Sequence, residues 1–438
     1  MLLTQRQLLQ PQLRERRGGS CAPRGRVRLV ARCGPPSAPV NKGFSLLEWS
    51  NKVLPQGQLV GGVKEGWRLA WAAMMREMAP QSRDGAYQRP QYAFGGKIGD
   101  PAFPAEAGRY HLYLGNACPW CHRVAIAAVL RGHFRPASFT SGSSSAPANG
   151  DPKAGAKAGP GGGLAVSYTR LEDDPTRARR GGWVLSAADP DPLFGAADLW
   201  QVYDTLQPGF RGRCTAPFLV DRAVRAAVCN ESADIVRSMD GLHGPWATDV
   251  VLRPPGLEAQ IDDLNARIYS AINNGVYRSG FATTQAAYDA VQAELWSALD
   301  EMEARLQKSR FLLGDKITES DVWLLPTVSR LDAMYGPLFK CGRRRVFAGR
   351  DGAGGDYPAL AGWVRDMWGV EVPGSAVQIR DTLDLDAARR SYHTSLFPLN
   401  PGGIVAAGPT AADLRLDAAS GRGGGGLEEV CHSRGSGR

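Results

Sequence analysis

Two cysteines three positions apart, in Cys118-Pro-Trp-Cys121, are the residues of this 438-residue chain best suited to chemistry. A cysteine acts as a nucleophile only as its thiolate, so the question is what would ionise one of these sulfurs. Proline is favoured at the first position of a helix, where its missing N–H costs nothing. The run Val124-Ala-Ile-Ala-Ala-Val-Leu130 continues as good helix, which puts Cys118 at the cap. Unpaired backbone N–H groups and the positive end of the helix dipole then point at its sulfur. That setting draws the thiol below its ordinary pKa of about 8.5. Cys118 is the expected nucleophile.

The element ahead of it must hold it in place. Residues 110–114, Tyr-His-Leu-Tyr-Leu, read as a short buried strand, and Gly115-Asn-Ala turns the chain into the helix. A strand delivering Cys-x-x-Cys to a helix start is the thioredoxin-like arrangement. Half a zinc site is the competing reading, but the chain has no second Cys-x-x-Cys and no paired histidines at ligand spacing. A purely structural cysteine pair is the plain alternative. His122 and Arg123 read as surface residues of the first helical turn.

Further on, residues 164–168 resume strand character and residues 197–206 read as helix. Two strands follow at 216–220 and 226–229 with a turn at Asp221-Arg222, and a helix opens at Asn230-Glu231-Ser232. Pro217 opens its strand, a place where proline is tolerated. A cis bond there would present the backbone of Ala216 to a ligand. Glu231-Ser232 offers N–H donors, a hydroxyl and a dipole to a ligand carboxylate. With the cysteine helix, these features outline a glutathione site.

From about residue 254 only helical spacing remains, over residues 257–272, 284–306, 320–334 and 357–367. Thr318-Glu-Ser-Asp321 has the spacing of a capping box ahead of Val322-Trp-Leu-Leu325. The expected fold is an α/β thioredoxin-like domain over residues 109–240 followed by an all-α domain over 254–409. Residues 136–163 are Ser, Ala, Gly and Pro in low complexity, expected as a disordered insertion. Residues 41–108, with aromatics among glycines and prolines, read as an extended arm carrying one short helix at 67–78. Residues 410–438, glycine-rich with scattered charge, are expected to be a disordered tail.

Charge placement narrows the class. Eight arginines and one glutamate in the first forty residues carry +7 of the formal +9, so the remainder is nearly balanced at +2. Without a basic patch interleaved with aromatics elsewhere, nucleic acid is not the expected partner. An Arg-rich, acid-poor leader with its leucines interrupted by Arg6 and Gln7 suits an organelle transit peptide. The chloroplast is the expected destination, with mitochondrion or cytoplasm as alternatives. No run approaches the roughly 18 apolar residues a membrane span needs. Eight mostly isolated cysteines do not make a disulfide scaffold, and reducing surroundings fit better.

The sequence resembles the glutathionyl-hydroquinone reductases, the Xi class of glutathione transferases, in their plastid or algal branch. The resemblance rests on Arg109-Tyr-His-Leu-Tyr, Ala117-Cys-Pro-Trp120, Gly181-Gly-Trp-Val, Arg211-Gly-Arg-Cys-Thr-Ala-Pro-Phe-Leu219 and Asn230-Glu-Ser232. It extends through Ile272-Asn-Asn-Gly-Val-Tyr-Arg-Ser-Gly-Phe-Ala-Thr-Thr-Gln285, Gly314-Asp-Lys-Ile-Thr-Glu-Ser-Asp321 and Asn400-Pro-Gly-Gly-Ile-Val405. It covers about residues 85–409 apart from the insertion.

The resemblance implies the glutathione transferase fold, a homodimer, and glutathione as co-substrate with no metal. It implies Cys118 as nucleophile, with Trp183, Arg213, the backbone of Ala216 beside Pro217, and Glu231-Ser232 holding glutathione. Tyr277 and Tyr392 would line the hydroquinone pocket, either serving as proton donor, with Tyr335 a third candidate. The implied reaction reduces a glutathionyl-hydroquinone through a Cys118–glutathione mixed disulfide. Three positions depart from the family pattern. Ala216 replaces the usual valine, His393 stands where a second tyrosine is frequent, and Cys121 replaces the usual alanine. A resolving thiol at Cys121 would favour a glutaredoxin-like thioltransferase or dehydroascorbate reductase using both cysteines. A non-catalytic aromatic-ligand-binding protein is the third reading.

Overall fold

The computed structural model describes residues 56–80, 82–87, 92–135, 164–347, 354–423 and 425–434. The leader at 1–40 and the insertion at 136–163 lie outside the described residues. The chain divides into two compact units, Met1–Gly66 and Trp67–Arg438. Of the first, only residues 56–66 are described, as the opening turns of helix α1 (Gln56–Met78). The second unit has an α/β half and a helical half.

Its first half is built on strand β1 (Tyr110–Gly115), all six residues of which are buried. A strand that must pack on both faces reads as a continuous apolar run rather than an alternation, and Tyr-His-Leu-Tyr-Leu-Gly does so. Helix α2 (Pro119–Leu130) follows directly, with Cys118 as its N-cap and every residue but Trp120 buried. Strand β2 (Ser167–Asp173) runs parallel to β1, with His111 opposite Ser167 and Gly115 opposite Leu171. It starts later than its sequence suggests. Ala165 and Val166 instead donate to the carbonyls of Arg135 and His133, closing the end of the cysteine helix.

Strand β3 (Trp183–Leu185), too short for a pattern to reveal, forms one edge after Gly181 and Gly182, whose φ values are +79° and +83°. Helix α3 (Leu199–Leu206) is capped by the Asp198 side chain. Strands β4 (Phe218–Asp221) and β5 (Ala226–Cys229) complete an antiparallel edge, giving the order β3-β2-β1-β4-β5. Helix α4 (Ser232–Ser238) closes this half.

The second half is helical, but its helices are interrupted where the sequence reads them as continuous. The stretch expected at 257–272 is helix α5 (Glu258–Arg267), a π-helical turn Ile268–Asn273, and then helix α6 (Asn274–Gly280). Helix α7 (Gln285–Leu306) is the long one. Helix α8 (Glu319–Val328) begins at the expected capping box of Thr318 and Asp321, ends before Ser329, and is followed by a second π-helical turn, Leu331–Tyr335. Helices α9 (Pro358–Trp368) and α10 (Leu385–Ser395) finish the bundle. Wide π turns are found mostly at functional sites, and here each one carries residues toward Cys118.

Two expectations change. The arm helix runs past the short segment expected at 67–78, and its C-terminal part is tied down: Trp71 Nε1 donates to the Pro398 carbonyl at 3.0 Å, and Met75 is buried. The tail expected to be disordered is ordered over 410–423 and 425–434. Helix α11 (Ala411–Leu414), helix α12 (Leu427–Val430) and strand β7 (His432–Ser433) occupy it, the last pairing antiparallel with β6 (Val250–Val251). Leu414, Leu416 and Val430 are buried, and Arg365 and Lys316 donate to tail carbonyls. Glycine-rich composition hid these few anchoring side chains.

Burying three aliphatic side chains contributes several kcal/mol, with extended-chain reference states overstating the gain. Ending the chain after residue 409 is therefore expected to cost about 3 kcal/mol or more in urea unfolding. An unchanged unfolding midpoint would show the ordered tail to be energetically idle.

Candidate active site

Cys118 lies at the start of α2 with a φ of −76° and ψ of 117°, extended enough to cap the helix with its own sulfur. The N–H of Cys121 donates to Cys118 Sγ at 3.4 Å, and the thiol reaches the Ala216 carbonyl at the same distance. The Ala216–Pro217 bond is cis. Burial works against ionisation of this sulfur, but the donors around it prevail: the Cys121 thiol, the N–H groups of Cys121 and Trp120, and the Arg330 guanidinium. The Cys118 thiol therefore lies below the ordinary range. Cys121 is pushed the other way, well above it, by its own burial and by the negative charge and hydrogen bonding of Cys118. Of the pair, Cys118 is the more readily ionised sulfur and Cys121 the one that holds its proton.

The helix cap is reinforced from the second half of the molecule, which the sequence reading missed. His122 and Arg123, expected at the surface, are both buried. The first turn of α2 faces the helical bundle rather than solvent, so both side chains need partners inside the protein. Arg330, also fully buried, donates through Nη1 to His122 Nδ1 at 2.9 Å and to the Pro326 carbonyl at 2.9 Å. Its Nη2 donates to the carbonyl of Asn116 at 3.0 Å, in the turn just before Cys118. Burial and the adjacent guanidinium hold His122 well below its ordinary pKa, so it is a neutral acceptor. Arg123 donates to Asn273 Oδ1 at 2.9 Å and to Ser232 Oγ at 3.3 Å, and lies over the Trp323 ring at 4.1 Å. Asn273 passes the connection on to Trp323 and Thr327. Asn273, the last residue of the π turn, is thus a buried junction between the cysteine helix and α8.

Beside the sulfur opens a cleft of about 170 Å³. Of the residues expected to hold glutathione, Arg213, Ala216, Pro217, Glu231 and Ser232 all line it, with Tyr277 from the helical half. Ser232 Oγ donates to Glu231 Oε1 at 3.2 Å, and the same carboxylate oxygen accepts the N–H of Ala233 at 3.2 Å. Arg213 stands at the exposed rim and donates to the Glu77 carbonyl in the arm. Trp183 is not in the cleft wall. Its half-buried ring lies on Gly115, where a Cβ would come within 2.3 Å of it.

The cleft also has walls that no sequence pattern pointed to. Tyr87 and Tyr92 come from the arm, whose return across the molecule is pinned by Asn230 Oδ1 accepting the N–H groups of Ala93 and Phe94. Tyr87 packs against Phe281 with the rings tilted, centroids 5.6 Å apart. Asn230 itself is bound to Tyr203 and Thr215, so the Asn-Glu-Ser turn is fixed from three sides.

Above the cleft the tyrosines converge. Tyr277 and Tyr392 share a hydrogen bond of 2.5 Å between their hydroxyls, and Tyr335 reaches Tyr392 at 3.4 Å. The histidine at 393 leaves this pairing intact. Its ring turns back to the Arg389 carbonyl. Burial, reinforced by the neighbouring hydroxyls, holds Tyr277 and Tyr392 well above the ordinary phenol range, and Tyr335 is raised by burial too. The charge of Cys118 adds to the rise at both Tyr277 and Tyr335, so these phenols are protonated groups within its field. Among the described residues no group of three His, Cys, Asp or Glu is arranged to hold a metal ion, and no helix is long and apolar enough to cross a membrane.

An ionised sulfur beside a cleft carrying both a cation and a carboxylate can exchange with a disulfide or thioether held there, and protonated phenols can supply hydrogen. Known proteins share the arrangement. Residues 285–366 match the family described as glutathione S-transferase, C-terminal domain. The glutathionyl-hydroquinone reductase PcpF of Sphingobium chlorophenolicum is 35% identical over 362 residues, covering 81% of this chain and 96% of that protein. The glutathionyl-hydroquinone reductase YqjG of Escherichia coli K12 is 34% identical over 370 residues, covering 81% and 95%. The glutathione-bound structure of YqjG superimposes with a TM-score of 0.59 over 77% of this chain and 97% of that one, at 32% identity. The glutathione transferase Xi of Phanerochaete chrysosporium gives 0.60 over 75% and 94%, at 31% identity.

Proposed function

The chain belongs to the glutathionyl-hydroquinone reductases, the Xi-class glutathione transferases, and from that premise we propose how its own residues carry the reaction. The enzyme reduces glutathionyl-hydroquinones with glutathione as co-substrate, on a glutathione transferase fold. The observation that carries the assignment of roles is the lowered Cys118 thiol hydrogen-bonded to the carbonyl of Ala216, a wall residue of the cleft that Arg213, Glu231, Ser232 and protonated Tyr277 also line.

In this reading the Cys118 thiolate attacks the sulfur that joins glutathione to the aromatic ring. The new bond is Cys118–S–S–glutathione, and the bond broken is sulfur to ring carbon. That carbon leaves with the electron pair and takes a proton, which Tyr277 donates and Tyr392 supports through their shared hydrogen bond. A second glutathione attacks the mixed disulfide, releasing oxidised glutathione and restoring the thiolate. The ring gains two electrons and two thiols lose them. Arg213, Glu231, Ser232 and the backbone at Ala216 orient the tripeptide, while Trp183 acts from behind by fixing Gly115 and hence the turn into Cys118.

The reading extends to location and assembly. The Arg-rich, acid-poor first forty residues support import into a plastid, in an alga or plant. The family resemblance supports a homodimer built through the helical half.

The test is turnover of glutathionyl-menadiol by the purified chain, with menadiol and oxidised glutathione expected as products. Tyr277→Phe is expected to lower kcat about 10- to 100-fold with KM changed far less, and Tyr392→Phe to do so more mildly. Disulfide reduction without any release of menadiol would overturn the assignment.

A further inference from the structure

Cys121 has no part in that cycle, yet its placement is specific. Its backbone N–H donates to Cys118 Sγ, and it is 1% exposed. It is absent from the wall of the glutathione cleft. Instead it lines a separate cavity of about 40 Å³, together with Leu114, Ala125, Phe134 and Val377. A space of that size admits water-sized molecules and no peptide. The sulfur of Cys121 is thus closed to external thiols and disulfides, and the reactive sulfur it can meet is Cys118.

We propose that Cys121 is a resolving thiol, which displaces glutathione from the Cys118 mixed disulfide and closes a Cys118–Cys121 disulfide. This rests on Cys118 being the nucleophile. The step balances: the Cys121 sulfur bonds to Cys118 Sγ, the Cys118–glutathione S–S bond breaks, and glutathione leaves as thiolate, taking up the proton that Cys121 gives up. Glutathione, the co-substrate, then reopens the internal disulfide at Cys118, and a further glutathione regenerates the thiolate and releases oxidised glutathione.

The geometry also explains why Cys121 waits its turn. While Cys118 is an anion it accepts the Cys121 proton and repels a second negative charge beside it. Once Cys118 is bonded to glutathione, burial still opposes a Cys121 thiolate but both of these restraints vanish, and the Gly115 backbone contact and the Arg330 cation that favour it remain. The consequence for the cycle is that the first glutathione leaves before the next one enters. In its dithiol form the same pair can pass electrons to small glutathione-mixed disulfides, and the internal disulfide that results is reduced again by glutathione.

The experiment treats the full-length wild type, Cys118→Ser and Cys121→Ser with oxidised glutathione, quenches in denaturant with an alkylating agent so that buried thiols react, and weighs the tryptic fragment ending at Arg123, which contains both cysteines. The wild-type fragment is expected to have lost two hydrogens, and the Cys121→Ser fragment to carry one glutathionyl group in about tenfold greater yield than wild type. In Cys118→Ser, Cys121 is expected to be alkylated as a free thiol. Cys121→Ala replaces the serine variant should that one fail to fold. A wild-type fragment glutathionylated to the same extent as Cys121→Ser, with Cys121 still alkylatable, would overturn the resolving role and leave the nucleophile in place. A fragment unmodified in both proteins would overturn the nucleophile as well.

Discussion

Cys118→Ser is expected to abolish turnover of glutathionyl-menadiol, by about a thousandfold or more. The substitution exchanges one atom, and serine keeps the cap geometry and a hydrogen-bonding group toward the Cys121 N–H and the Ala216 carbonyl. What it removes is the ability to be an anion near neutrality and to form a bond with sulfur. An alcohol ionises far above any working pH, and helix-end donors cannot bring it within reach. Unfolding midpoints of variant and wild type should coincide, because serine fits the space. The comparison of rate and stability isolates the chemistry: more than a tenth of wild-type turnover in the serine variant would mean that another group performs the attack.

Arg330→Met is expected to damage both stability and reactivity. The side chain is completely buried and its donors satisfy His122 Nδ1 and the carbonyls of Asn116 and Pro326. Methionine fills similar volume and takes the donor from His122 Nδ1 and the Asn116 carbonyl, while the Pro326 carbonyl keeps Ser329 Oγ. Each buried orphan costs about 1–3 kcal/mol, partly offset by no longer burying a cation, so a net loss of about 3 kcal/mol follows. Reactivity falls because the guanidinium is one of the groups that favour the Cys118 thiolate. The pH profile of Cys118 alkylation should shift to higher pH in the variant, and the rate at pH 7 should drop by about threefold or more. Lys in place of Arg would restore the charge without the fork that spans His122 and Asn116, so it should recover part of the profile and little of the stability. An alkylation profile identical to wild type would mean that the cysteine helix alone sets the ionisation.

The parts of this site legible in the sequence are those specified by neighbours along the chain. Pro119 after Cys118 announces a helix start, Pro217 announces its strand, and Thr318 with Asp321 announces a cap. Each depends on interactions spanning three or four residues. Arg123 and Arg330 were opaque for the opposite reason. A charged side chain is buried only where distant groups receive it, and the acceptors of Arg330 lie up to 214 residues away. The π turns were opaque as well, since each is a single widened turn, too short for its spacing to stand out within a largely apolar stretch. Tyr87 and Tyr92 gave no clue because they belong to the arm, which has no periodicity to mark which side chain faces the cleft. In the tail, Leu414, Leu416 and Val430 are too few among glycines for composition to weigh.

The two arm tyrosines have a consequence for how such a protein diversifies. They shape the doorway to the sulfur, yet they belong neither to the sheet nor to the bundle, and their segment is held by backbone bonds to Asn230. Side chains there can be traded without disturbing a strand or a packed helix. The mouth of the cleft is thereby drawn from a part of the chain separate from the strand and helix that present Cys118.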